Sequence, residues 1–389
     1  MTELQQLINE LCPNGVKFAA LEECCKILDN KRKPVTKAAR QAGEYPYYGA
    51  NGIQDYVSDY IFDGIFVLVG EDGSVVTPSG NPVVNWATGK IWVNNHAHII
   101  EEKDGVLLRY LYHYLQTVNV SALIHGNIPK LTGGDFRAIK VPVPPLPVQS
   151  EIVRILDNFT ELTAELTAEL TARKQQYAHY RDTLLKLDNN VPSYTLKDIC
   201  LSIADGDHMP PPKADSGVPF ITISNITETR QIDFSNVMYV PREYYDKLAD
   251  KRKAKQDDIL YTVVGSFGIP VHISSKTEFV FQRHIAILRP NQQMIVPRYM
   301  YHIMQSTEFY KQADKAAKGA AQRTIGLSSL GNMTIPLPSI EEQKRIVAIL
   351  DRFDTLCNDI SAGLPAEIEA RQKQYEYYRD KVLTFEPAK

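Results

Sequence analysis

Cysteine is scarce: the 389 residues include five, Cys12, Cys24, Cys25, Cys200 and Cys357. Their odd number and the absence of a C-x-x-C pair exclude a disulfide framework or a thiolate zinc site of familiar spacing, and fit a reducing cytoplasm best. Long apolar runs are also missing. The longest, such as residues 65–69, are strand-sized, whereas a membrane helix needs about 20 residues. The opening MTELQQLINELCPNG lacks the basic start and apolar stretch of a signal peptide. Positive charge is not in surplus either: 43 Lys and Arg against 46 Asp and Glu give a net charge of −3. That balance argues mildly against a chain that binds nucleic acid unaided.

Catalytic motifs are lacking in specific ways. The turns VGEDGS and VVGSFG have no G-x-x-x-x-G-K-[ST] phosphate loop. His96 and His98 share a face of a predicted strand but have no third ligand at sensible spacing, so they are expected in a core or loop. Asn81-Pro82 is not followed by the second Pro and aromatic of an adenine-methylating signature. Asp207, His208 and Ser266 lack the G-x-S-x-G setting of a nucleophile. No active site and no metal site are expected.

What is present is duplication. VPVPPLPVQSEIVRILDNF (141–159) aligns without a gap with IPLPSIEEQKRIVAILDRF (335–353) at an offset of 194. RKQQYAHYRD from Arg173 returns as RQKQYEYYRD from Arg371, now at 198. RYLYHYLQ (109–116) matches RYMYHIMQ (298–305), a shared pattern expected to pack the domain rather than to bind. The chain therefore reads as two copies of a globular unit followed by a long helix.

Prolines at 142, 144, 145 and 147 form an extended lead-in, so the first helix is expected from about Gln149 and the second, after Pro336 and Pro338, from about Glu341. Ile152, Ile155, Leu156, Phe159, Leu162 and Leu166 recur at steps of three and four, and Tyr177, Tyr180, Leu184 and Leu187 carry the stripe onward. Ile346, Leu350, Phe353, Leu356 and Ile360 repeat it until Gly363-Leu364-Pro365 interrupts. A helix of some 38 residues, about 57 Å long, needs a partner for such a stripe, and its own duplicate is the economical one. The alternative is that each helix merely covers its own domain.

Between the helices lie regions with strand-like runs, Gly-containing turns and aromatics, each reading as mixed α/β. Three local basic clusters, 31–40, 251–255 and 311–323, stand out, although ordinary surface loops account for such runs too. Side chains suited to base edges and phosphates are Lys31, Arg32, Lys33, Tyr47, Tyr48, Asn51 and Gln54 in the first region. In the second they are Ser224, Asn225, Arg283, Lys315, Lys318, Gln322 and Arg323.

Taken together, IVRILDNF and IVAILDRF, the two tyrosine endings and the Thr-Ala-Glu-Leu repeat at 163–170 make the chain resemble the specificity subunit of type I restriction-modification systems over essentially its whole length. The resemblance implies an α/β (mixed α+β) fold of two duplicated target-recognition domains separated by two long antiparallel helices packed as a coiled-coil spacer. The expected divisions are 1–148, 149–189, 190–340 and 341–389. Tyr177, Tyr180, Tyr375 and Tyr378 would serve only as scaffold in that spacer.

It further implies double-stranded DNA as target, with each domain reading half of a split sequence, and two docked modification subunits that use S-adenosylmethionine to methylate adenine. Restriction subunits using ATP and Mg can join, and no cofactor is expected on this chain. Two other readings remain open: the specificity subunit of a stand-alone adenine methyltransferase without restriction, told apart by neighbouring genes, and a two-headed protein-binding scaffold.

Overall fold

The computed structural model describes residues 3–188, 190–206, 211–320, 322–359 and 362–388; Asp207, His208 and Ile360 lie outside the described residues. Two compact units result, Met1–Ala164 with Ala370–Lys389, and Glu165–Glu369. Each unit thus holds one globular region and helical segments from two distant parts of the sequence.

In the first unit, the apolar run near residue 66 becomes the inner strand Phe62–Gly70 of a six-stranded sheet. It pairs antiparallel with Val84–Val93 and Ala97–Glu101. Ala42–Gly49 then joins Val84–Val93 in parallel and Gly52–Val57 antiparallel. Successive side chains on a strand point to opposite faces. Phe66 and Leu68 accordingly enter one core with Tyr48, Ile91 and Ile99. Val67 and Val69 enter another with Tyr110, Leu111, Ile152 and Leu156, which seats the sheet on its helices.

The second unit repeats the partition on a smaller sheet of Cys200–Asp205, Ile285–Pro290, Ile259–Thr262 and Pro270–His272. Ile259, Tyr261, Ala286 and Leu288 face the core containing Tyr177, Ile346 and Leu350. Leu260, Ile285 and Ile287 face a distal one. A three-stranded sheet of Met238–Val240, Val218–Ile221 and Val280–Phe281 has no counterpart among the described residues of the first unit.

A short antiparallel clasp closes each globular region where it meets its helix: Phe18–Ala20 with Lys140–Pro142, and Ser193–Thr195 with Thr334–Pro336. The first long helix then runs Leu146–Leu184, 39 residues. It starts three residues before Gln149 because Pro147 falls in the first turn, where its missing N–H costs nothing. The second begins at Ile340, with the Ser339 hydroxyl accepting from the Glu342 amide, ends at Asn358, and resumes as Leu364–Val382. The connection between them requires glycine at Gly363, where an added Cβ would clash with the Thr355 carbonyl oxygen.

Helical segments pack together within each unit. In the first, Phe159 stacks on Tyr378 with ring centroids 5.4 Å apart. In the second, Phe353 stacks on Tyr177 and Tyr180, at 6.3 and 5.3 Å. Cys357, one turn beyond Phe353, lies within the electrostatic reach of Lys174 and Arg173, one turn before Tyr177, so these segments run antiparallel. Ile152, Leu156, Ile346 and Leu350 are fully buried. Leu162 and Leu166 are half-buried. At the end of the stripe Cys357 takes the buried position and Leu356 is 37% exposed.

Candidate nucleic-acid interface

The repeated Arg-Tyr-x-Tyr-His pattern bolts each globular region to its helices. In the first unit Arg109 and His113 Nε2 both reach Asp157, at 2.8 and 2.7 Å, while His113 Nδ1 meets the Tyr375 hydroxyl at 3.1 Å. In the second, Arg298 and His302 Nε2 reach Asp351, each at 2.6 Å, and Tyr177 sits 2.9 Å from His302 Nδ1.

Both histidines are fully buried. Burial pushes the His113 pKa down to about 4, against the Asp157 hydrogen bond that favours the cation. Burial likewise lowers His302. The neutral rings donate through Nε2 to the aspartates and accept at Nδ1 from tyrosines that burial keeps protonated, Tyr375 being raised to about 12. For Asp351, burial opposes ionisation, yet the hydrogen bonds from His302 and Arg298 leave its carboxyl below the usual range.

Two glutamines complete the junctions. The Gln149 side-chain oxygen accepts from the Leu107 amide at 2.9 Å, and its nitrogen donates to the Gly105 and Pro144 carbonyls. Gln343 does the same with Val296, Met294 and Pro338. Tyr110 and Tyr299 donate to the clasp carbonyls of Pro142 and Pro336.

The candidate contact residues of the first unit divide by what they touch. Arg32 turns inward, its guanidinium 2.6 Å from Glu71 and 2.7 Å from the Ala97 carbonyl. Tyr47 is buried, its hydroxyl donating to the Val35 carbonyl and accepting from the Val35 amide, and Arg40 lies over its ring. Tyr48 is buried in the sheet. Lys31, Lys33, Asn51 and Gln54 are exposed.

Asp29, Glu71 and His98 converge closely enough to suggest a metal centre. Arg32 and Lys130 already neutralise Glu71, at 2.6 and 3.2 Å. His98 bonds Asp29 at 2.7 Å and the Leu131 carbonyl at 3.0 Å. With Arg32, Lys130 and His98 set against the two acids, this is a charge network that ties four segments together. Only His98 stood out in the sequence; its acidic partners could not be matched to it there, because they come from separated stretches.

In the second unit Asn225 is likewise spent inside the fold, accepting from the Thr222 amide and donating to the Asp233 and Asn236 carbonyls. Ser224, Arg283, Lys315, Lys318 and Gln322 are exposed. Arg323 pairs with Asp314 at 2.6 Å and lies 5.1 Å over the Phe267 ring. Arg283 and Gln322 share the rim of a cleft of about 330 Å³ with His284 and Thr324.

The family described as type I restriction modification DNA specificity domain matches the chain twice, at residues 13–173 and 189–370. The chain belongs to this family. It is the DNA specificity subunit of a type I restriction-modification system, not its catalytic subunit.

A putative type I restriction enzyme specificity subunit of Haemophilus influenzae is 38% identical over 386 residues, covering 95% of this chain and 96% of that protein. A type I restriction enzyme specificity subunit of Escherichia coli is 36% identical over 303 residues, 73% of this chain and 72% of that protein. The solved S subunit of a type I system from M. genitalium shares the fold at a TM-score of 0.58 and 15% identity, over 95% of this chain and 96% of that one.

In this specificity subunit, the residues that sequence reasoning missed are Asp157, Asp351, Gln149 and Gln343. Each stands at a repeated position, in ILDNF and ILDRF or just after the prolines, and that repetition was their one signal. Among the described residues no helix is long and apolar enough to cross a membrane.

Proposed function

We propose that each unit of this specificity subunit reads one half of a split double-stranded DNA sequence, while the long helices set the half-site spacing and dock two modification subunits. The observation that carries this reading is the doubled junction. One set of Arg, His, Asp and Tyr contacts fixes each globular region to a helix pair, so the variable surfaces ride on a common frame.

The modification subunits would bring S-adenosylmethionine for adenine methylation, and restriction subunits would bring ATP and Mg; such an assembly works in the cytoplasm. The net charge of −3 fits a chain that closes on DNA only with partners, which supply much of the phosphate-neutralising charge. The Lys31, Lys33, Asn51, Gln54, Ser224, Arg283, Lys315, Lys318 and Gln322 side chains are exposed, with the Gln54 oxygen accepting from Asn94 and the Ser224 hydroxyl bonded to Thr222. Co-expression with the modification partner, followed by sequencing of methylated adenines, tests the reading: a two-part motif with a fixed gap supports it, and a contiguous motif overturns it.

A further inference from the structure

Both units end their recognition regions in the same small device. In the first, a hairpin pairs His125 with Lys130, and the loop after the inner strand is stitched to it: Gly73 N–H donates to Pro129 O at 2.9 Å, Asp72 bridges Lys130, and Leu131 N–H donates to Glu71 O at 2.8 Å. In the second, Gly265 N–H donates to Arg323 O at 3.0 Å, Val264 bridges Thr324, and Ile325 N–H donates to Val263 O at 2.8 Å. Residues 129, 130 and 131 correspond to 323, 324 and 325 at the offset of 194 that also relates the helices. Leu131 and Ile325 are both buried, pinning the hairpins to their cores.

On this shared frame the residue just before the stitched carbonyl differs in chemistry. It is Ile128 in one unit, 69% exposed, and Gln322 in the other, also exposed. Neighbouring basic side chains are tied back to the frame, Lys130 to Glu71 and Arg323 to Asp314. Among the described residues the Gln322 amide has no hydrogen-bond partner, so its donor and acceptor are available to a ligand.

We propose that positions 128 and 322 are the equivalent base-reading positions of the two units. Ile128 contacts a thymine methyl group in one half-site, and Gln322 forms a paired hydrogen bond with an adenine edge in the other. An apolar side chain can read only the thymine methyl in the major groove, whereas a glutamine matches the adjacent donor and acceptor of adenine. The proposal rests on the reading of each unit as the reader of one half-site.

The test uses the full chain in complex with its modification partner, comparing the parent with Ile128→Ala, Ile128→Gln and Gln322→Ala. Methylation is measured on DNAs carrying every single-base change in each half-site, with complex formation followed by size exclusion. The expected result is loss of discrimination at one base of one half-site in each alanine variant, roughly ten- to hundredfold, and a change of preference from thymine to adenine at that base in Ile128→Gln, with the other half and the gap unchanged. Parental discrimination in all variants overturns the proposal. So does a uniform loss over every DNA, the signature of a phosphate contact. Failure of the parental complex to methylate any split motif is a separate result and defeats the underlying reading.

Discussion

His113 and His302 show how a buried polar group is tolerated when every lone pair and proton has a partner. Because folding holds His113 neutral with a pKa of about 4, the unfolded chain binds more protons between that value and the ordinary value near 6.5. Stability therefore rises with pH across this window and is lost on acidification through it. Urea unfolding at pH 7 and pH 5 should show a drop that is smaller in His113→Gln, which has no imidazole to protonate; equal drops would contradict the assignment. Gln149→Ala removes a side chain that satisfies three backbone groups, and should cost about 2–4 kcal/mol in the same measurement. The duplicated Arg-Tyr-x-Tyr-His pattern was legible as a packing motif. Its aspartate and tyrosine partners were not, since they arrive from helices far along the chain. Arg32, Tyr47 and Asn225 have the right chemistry for DNA, but only the structure shows that neighbouring backbone and carboxylates claim them.

The elements were more legible, because periodicity survives without knowledge of contacts. The inner strands were visible as apolar runs and the long helices as stripes, and Gly363 announced the interruption. The assignment of alternate strand residues to two separate cores depends on what covers each face, which no local pattern specifies. The Thr-Ala-Glu-Leu stretch has a physical basis for tolerance: from residue 157 to residue 176 no side chain of the helix is fully buried, and Leu364–Val382 buries none either. A four-residue repeat adds about 6 Å and turns the helix roughly 40° beyond a full turn, against about 3.4 Å per base pair. Deleting one repeat should shorten the gap in the methylated motif by one or two base pairs and leave its bases unchanged. An unaltered gap would contradict the spacing role of the helix. Gly363→Ala, which sets a methyl group against the Thr355 carbonyl, should lower the unfolding midpoint without changing the bases recognised.

At the scale of the whole molecule, duplication was the feature most fully legible, because two copies can be compared with one another even when nothing else is known. The target bases were not, since groove contacts depend on docking and DNA shape as well as on residue type. The isolated chain, with its net charge of −3, should bind DNA weakly, with affinity falling steeply as salt rises, whereas the complex with modification subunits should bind one sequence tightly. Filter-binding titrations over a salt series check this difference. The central claim, that each unit reads its own half of a split target, is tested most directly by mapping methylated adenines in cells that express this chain with its modification partner. The predicted result is one motif of two specified halves around an unspecified gap of fixed length; methylation of a contiguous motif, or the same motif without this chain, would contradict it.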